Sequence, residues 1–163
     1  MSYSITPITE KDRNYIIDIY NHYIEHSFAA YLEERVNYDT FDRFMQMSEG
    51  YPRASVKNNN GKLIGFGFLR QYHFAPAFSK TAEISYFIHP EFTGKGIGKN
   101  LLDYLLEESK KSGLKHILAS ISSLNIWSIS FHRKNGFKEC GRFRNIGIKK
   151  GRNFDTIWMQ IVL

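Results

Sequence analysis

Apolar residues change their spacing several times along this chain, and each change marks an element. Ser2 to Ile8 alternates as a first strand does. Thr9 with Asp12 three residues on makes an N-cap pair, opening a helix carried by Ile16, Tyr20, Tyr23 and Ile24 and ending near His26. Asp39 to Met47 predicts a second short helix, capped by Asp39, with Phe41, Phe44 and Met45 on its apolar side. From Arg53 the period is 2: a short strand to Lys57, an Asn-Asn-Asn-Gly turn at 58–61 and a longer strand from Lys62 to about Tyr72 form a hairpin.

After a loop containing Pro76, Ala82 to Ile88 is another strand and His89 to Lys95 a polar, glycine-containing loop. Ile97, Leu101, Leu102, Leu105 and Leu106 then define an amphipathic helix that Gly113 stops. His116 to Ile121 reads as a buried strand and Ile126 to Lys134 as a helix ending at Asn135-Gly136. Phe137 to Leu163 reads as two strands joined by the Lys149-Lys150-Gly151 turn. This order predicts an α+β fold with one central strand–helix–strand unit. No linker, repeat or low-complexity tract divides it, so residues 1–163 are expected to form one domain.

Composition supports a packed core: 42% hydrophobic, 15% aromatic and only four prolines exclude a disordered chain. The formal charge of +6 suits an anionic partner, whether nucleic acid, a membrane surface or a phosphorylated small molecule. Cys140 is the only cysteine, which excludes an intrachain disulfide framework and a cysteine-cluster metal site and suits a reducing compartment, by default the cytoplasm. Met1 to Arg13 has no hydrophobic run and is not expected to be a secretory signal. The longest uncharged stretch, Ile117 to His132, falls short of the ~20 apolar residues of a membrane helix.

The segment richest in chemistry is Phe87-Ile88-His89-Pro90-Glu91-Phe92-Thr93-Gly94-Lys95-Gly96-Ile97-Gly98-Lys99, a strand running through glycines into an apolar helix. The first N–H groups of a helix lack intrahelical partners and its dipole favours negative charge, so glycines that let a phosphate approach complete an anion cradle. Lys95 and Lys99 add charge. The bland alternative is a tight turn without a ligand. A P-loop is excluded because Thr93 and Asn100 stand where it needs Gly and Ser or Thr, and a dinucleotide fingerprint because Lys99 and Leu101 stand where it needs glycine.

Thr93-Gly94-Lys95-Gly96-Ile97-Gly98 resembles the acyl-CoA-binding loop of GCN5-related N-acetyltransferases, whose signature is Arg or Gln, two residues, Gly, one residue, then Gly or Ala. The resemblance spans nearly the whole chain and is strongest to the phosphinothricin and methionine sulfoximine acetyltransferase subgroup. Ile19-Tyr20-Asn21, the strand Glu83-Ile84-Ser85-Tyr86-Phe87-Ile88, Asn125 seven residues before His132, and Gly151-Arg152 with Asp155 and Met159-Gln160 carry it. It implies a mixed, mostly antiparallel central sheet flanked by helices and splayed between its fourth and fifth strands, here Ala82 to Ile88 and His116 to Ile121. Acetyl-CoA is the implied co-substrate, with no metal. Tyr86, Phe87 and Ile88 would meet its pantetheine through backbone groups, Gly94, Lys95, Gly96, Ile97, Gly98 and Lys99 would hold its pyrophosphate, and Asn125 would touch it too.

Acetylating an amine needs a base, donors for the developing oxyanion and relief for the departing thiolate. Glu83 begins the central strand and matches the subgroup's carboxylate base, the bland alternative being a strand-end salt bridge. A backbone N–H near Tyr86 or Phe87 is the expected oxyanion donor. His132 stands where many relatives place a thiolate-protonating tyrosine; it is either that acid or a hydrogen-bonding partner for the cofactor or a neighbouring carbonyl. The resemblance places Tyr20, Asn21, His73, Phe74, Ala75, Ile84 and Ser85 with Glu83 around the acceptor. Three residues depart from the subgroup: His73 replaces an arginine suited to a substrate carboxylate, Asn153 an aromatic, and Thr93 the Arg or Gln of the phosphate loop.

His22 and His26, one helical turn apart, lack a third metal ligand and read as packing. Tyr15, Tyr20 and Tyr23 are expected in the core, and Cys140 as a small buried residue rather than a nucleophile, so direct transfer is favoured over an acyl-enzyme. The leading reading is a cytoplasmic, homodimeric N-acetyltransferase acting on a small-molecule amine such as an amino acid or its analogue, with neither nucleic acid nor membrane as partner. The alternatives are a nucleic-acid-binding module built on Lys110, Lys111, Arg133, Lys134, Lys149, Lys150 and Arg152, and a protein or peptide N-acetyltransferase.

Overall fold

The computed structural model describes residues 2–163. Seven strands, β1 (Tyr3–Thr6), β2 (Arg53–Asn58), β3 (Leu63–Gln71), β4 (Thr81–Ile88), β5 (His116–Ser122), β6 (Lys138–Lys149) and β7 (Arg152–Val162), form one sheet in the order β1-β2-β3-β4-β5-β7-β6. The helices are α1 (Arg13–His26), α2 (Thr40–Met47), α3 (Ile97–Lys111) and α4 (Ile126–Lys134). β4 and β5, joined through α3, run parallel, and all other neighbours are antiparallel, as the alternation and the family resemblance predict.

Each face of the sheet has its own apolar layer. On one, Ala82, Ile84 and Ile88 of β4 and Ile117, Ala119 and Ile121 of β5 meet Ile97, Leu101, Leu102 and Leu105 of α3. Each such fully buried Leu or Ile contributes roughly 1.5–3 kcal/mol. Gly67 of β3 lets this layer close, because a Cβ there would lie 2.7 Å from Tyr86 Cβ and 2.8 Å from Leu105. On the other face Phe66 and Phe68 of β3 pack with Ile16, Ile17 and Ile19 of α1 and Phe41 and Phe44 of α2.

At the predicted start of α1, Thr9 N–H donates to Asp12 Oδ2 at 2.8 Å, as the N-cap pair implies, while Asp12 N–H closes a main-chain turn on Thr9 O at 3.0 Å. A single 3₁₀ turn, Glu10–Asp12, intervenes before α1 proper. The buried Asp12 carboxylate is also paired with Lys57 of β2 at 2.8 Å, which ties the helix start to the sheet. At α2, by contrast, Asp39 holds the cap position without a side-chain cap bond. Tyr15 and Cys140, expected in the core, are both exposed. Tyr15 lies on the outer side of α1, and Cys140 lies on β6, the sheet's edge strand, where alternation gives no buried row.

Candidate active site

β4 is bonded unequally along its two edges. Against β3 it keeps register from Gln71↔Ala82 to Gly65↔Ile88, whereas against β5 it pairs only at Thr81↔His116, Ala82↔Ile117 and Glu83↔Leu118. Beyond Glu83 the sheet is parted, where the family resemblance places the split. Successive residues of a strand turn their main-chain groups to opposite edges. His89 N–H bonds Ile64 O of the β3 side, and Lys80 O accepts from Lys115 and His116 on the β5 side. Ile84 spends its N–H on the last bridged pair with β5, and its carbonyl together with the N–H and C=O of Tyr86 and Ile88 therefore faces the gap. Phe87 directs its own toward β3, which corrects its expected backbone contact with a cofactor in the gap and leaves the Tyr86 N–H turned toward it. The Ile88 carbonyl is taken by Tyr23 Oη–H at 2.6 Å.

Glu83 lies at the mouth of this gap, on the face opposite the α3 layer. One guanidinium nitrogen of Arg70, its cross-strand neighbour, donates to Glu83 Oε1 at 2.5 Å and the other to Ser85 Oγ at 2.8 Å. The Glu83 side chain is 15% exposed, and burial pushes its carboxyl up from the ordinary range while the Arg70 charge pulls against that shift. The Tyr31 hydroxyl and Ser120 Oγ are 3.1 Å apart, and Tyr31 feels both Glu83 and Arg70. Lys149 supports this corner from the far hairpin: its buried ammonium donates to Ser27 O and Ala30 O, each at 2.7 Å, just before Tyr31.

At the other end of β4 the chain turns through Gly94 (φ 72°) and Gly96 (φ 80°) into α3. Both occupy the left-handed region that costs a side-chain-bearing residue roughly 1–2 kcal/mol. The N–H groups from Gly94 to Lys99 have no acceptor among the described residues, and no side chain caps α3. Such a row of free donors at a helix start fits a pyrophosphate. The lysines are less available than their charge implies: Lys95 Nζ donates to Glu91 O at 2.7 Å, and Lys99 pairs with Asp103 at 2.5 Å. Thr93 Oγ1 donates to Pro90 O and shapes the turn.

Between these ends Tyr86 meets His132. The His132 ring is buried, and Nδ1, 2.8 Å from Ser128 O, must carry the proton, since a carbonyl only accepts. Nε2, 2.8 Å from Tyr86 Oη, is then the acceptor of the phenolic proton. Burial holds the imidazole below its ordinary pKa and pushes the Tyr86 phenol up. A neutral His132 with its one proton given to Ser128 has none at Nε2, so this geometry suits orientation of Tyr86 and not proton delivery to a thiolate. Asn125 caps α4, its side chain accepting Ser128 N–H at 3.3 Å.

The remaining expected residues divide. Tyr20 and Ser85 lie on the Glu83 face, the Tyr20 ring against Phe87 and Phe44. Ile84 does not reach that face, because alternation buries it under α3. Asn21 does not line it either: its amide clamps Val36, accepting the N–H at 2.8 Å and donating to the carbonyl at 3.0 Å. His73 and Phe74 stand exposed, stacked on one another, with Ala75 N–H bonded to His73 Nδ1. Their neighbour Tyr72 reaches back to Trp158 of β7. Arg70 and Tyr31 join the Glu83 corner without a motif that marks them; the one signal for Arg70 is a charge closing the otherwise apolar run Leu63 to Leu69.

His22 and His26 stack 4.7 Å apart, and no group of three or more potential metal ligands occurs among the described residues. Of the cations of the nucleic-acid alternative, Lys149 is buried, and Lys110 and Lys111 pair with Glu107 and Glu108. A cavity of about 470 Å³ lined by Tyr15, Asp18, His22, Lys62, His89 and Glu91 does not include Glu83.

The acetyltransferase (GNAT) domain family matches residues 5–158. An L-methionine sulfoximine/L-methionine sulfone acetyltransferase of Salmonella typhimurium is 32% identical over 91% of this chain and 87% of its own. An L-amino acid N-acyltransferase of Escherichia coli is 31% identical over the same shares. Among solved structures, a GNAT superfamily phosphinothricin acetyltransferase of Sinorhizobium meliloti in complex with acetyl-CoA superposes with TM-score 0.94 at 30% identity, covering 100% of this chain and 89% of that one.

Proposed function

The chain belongs to the GNAT acetyltransferase family and is an acetyl-CoA-dependent N-acetyltransferase of small-molecule amines, and from that premise we propose that its acceptor is an amino acid or close analogue, acetylated by direct attack in a ternary complex. Relatives named for methionine sulfone, L-amino acids and phosphinothricin support the acceptor class.

Acetyl-CoA supplies an activated acyl group on a good leaving thiol. Glu83 takes the proton of the acceptor ammonium, directly or through one water, and a carboxyl raised by burial is better matched to that task than an ordinary one. The Tyr86 N–H, turned into the gap, donates to the thioester oxygen as charge develops there. Gly94 to Lys99 hold the pyrophosphate on main-chain donors, His132 keeps Tyr86 oriented from below, and Tyr20, Ser85 and Tyr31 line the acceptor side. The observation that carries this reading is the half-buried Glu83 at the point where β4 leaves β5.

Thiol release measured against a panel of amino acids, their analogues and peptide amines tests it, together with calorimetric titration of acetyl-CoA. Turnover restricted to small amines is expected, and absence of acetyl-CoA binding overturns the reading. We further propose a cytoplasmic homodimer. A single cysteine suits a reducing compartment, and edge strand β6 exposes Ile146 and Ile148 on one face and Phe143 on the other, apolar side chains for a second copy to cover. Light scattering on the eluted protein gives the subunit number directly.

A further inference from the structure

The carboxylate assigned as base does not stand alone. Arg70 is the only charged residue of β3, and it faces Glu83 across the β3–β4 ladder, so both side chains project from the same face. Its guanidinium is held at two points, Glu83 Oε1 and Ser85 Oγ, with the Arg70 side chain 26% exposed. An ammonium would reach one acceptor as a point charge; a planar fork spanning two residues of the same strand row fixes the direction of the carboxylate as well as its charge.

We propose that Arg70 is a positioning residue of the reaction: its fork sets the orientation in which Glu83 meets the acceptor amine, and its charge sets the lower pH limit of turnover. The titratable and charged groups facing Glu83 are Arg70 from β3 and Tyr31 from the segment after α1. Tyr20 of α1 and Arg43 of α2 are the next shell, linked to the pair through Arg70, and β5 and β7 add only the hydroxyls of Ser120 and Thr156. Burial raises the Glu83 carboxyl and Arg70 opposes it, so without the guanidinium the base is protonated at higher pH.

The inference rests on Glu83 being the base, and the experiment separates the two. Profiles of kcat/KM against pH are recorded for the full chain with acetyl-CoA and L-methionine sulfone, in wild type and in Arg70→Gln, Arg70→Lys and Glu83→Gln. Arg70→Gln is expected to move the acidic limb up by about 1–3 pH units and to lower the plateau. Arg70→Lys, which keeps charge but not the fork, is expected to leave the limb near its wild-type position with a plateau reduced about tenfold. A limb that stays in place in Arg70→Gln overturns the proposal even if the rate falls, because loss of packing alone lowers the plateau without shifting the limb. A wild-type plateau in Arg70→Lys overturns the role of the fork. Retention of both rate and limb in Glu83→Gln removes Glu83 as base, and Arg70 with it.

Discussion

At the Glu83 end of the β4–β5 gap the working groups are side chains, fixed by one another; at the α3 end they are main-chain N–H groups, fixed by the φ values of Gly94 and Gly96. The first end is specified by residue identity and the second by backbone conformation. A change of charge is therefore felt at one, and a change of allowed φ at the other. The cations flanking the glycine loop, already paired with Asp103 or the Glu91 carbonyl, matter less than their number implies.

The sharpest way to break this contrast is Glu83→Gln, for which turnover is expected to fall by about 10²–10⁴-fold, the usual worth of a general base, with calorimetric affinity for acetyl-CoA unchanged. The complementary change, Gly96→Ala, puts a side chain into left-handed backbone; a cost of roughly 1–2 kcal/mol corresponds to about a tenfold rise in KM for acetyl-CoA, with kcat at saturation held within about twofold. If Gly96→Ala lowered kcat and left KM alone, the two ends would not be separable.

The local parts of both ends were legible in the sequence. A strand, a glycine-rich loop and an amphipathic helix follow one another within residues 82–111, so the donor row at α3 and the position of Glu83 follow from periodicity and resemblance. Groups brought together by long-range register were not. Residues 72–80 separate Arg70 from its partner strand, and no pattern within them dictates that Arg70 faces Glu83 rather than a neighbour two places along. The resemblance puts Asn21 beside the acceptor, yet its partner Val36 lies in an irregular segment that periodicity does not resolve. By sequence Lys149 reads as one of the surface cations; only the packing of the β6–β7 turn against Ser27 and Ala30 shows it buried.

Two smaller effects refine the comparison at its middle. His132 is held below its ordinary pKa by burial, so the unfolded chain binds the proton first, and the stability His132 contributes is complete above about pH 6.5 and is lost as pH falls toward its folded value. Urea midpoints at pH 7 and pH 5 are expected to differ more in wild type than in His132→Gln. Asn125→Ala removes the α4 cap at a cost of about 1 kcal/mol, a fall in Tm of roughly 2–4 °C by calorimetry. An accompanying change in KM for acetyl-CoA would show that Asn125 reaches the cofactor as well as its own helix.

The half-unzipped edge of β4 makes the protein's sturdiness depend on what it carries. From the Ile84 carbonyl onward that edge offers hydrogen-bonding groups with no neighbouring strand, the condition of a sheet margin, but located in the interior of the sheet. An acetyl-CoA arm lodged there, as proposed, would act as a surrogate strand, and a ligand bound only by the folded state adds about 2.7 kcal/mol at a hundredfold excess over its Kd. Resistance to heat and proteolysis should then track the cell's supply of acetyl-CoA, so that the pool of active enzyme rises and falls with the metabolite it consumes.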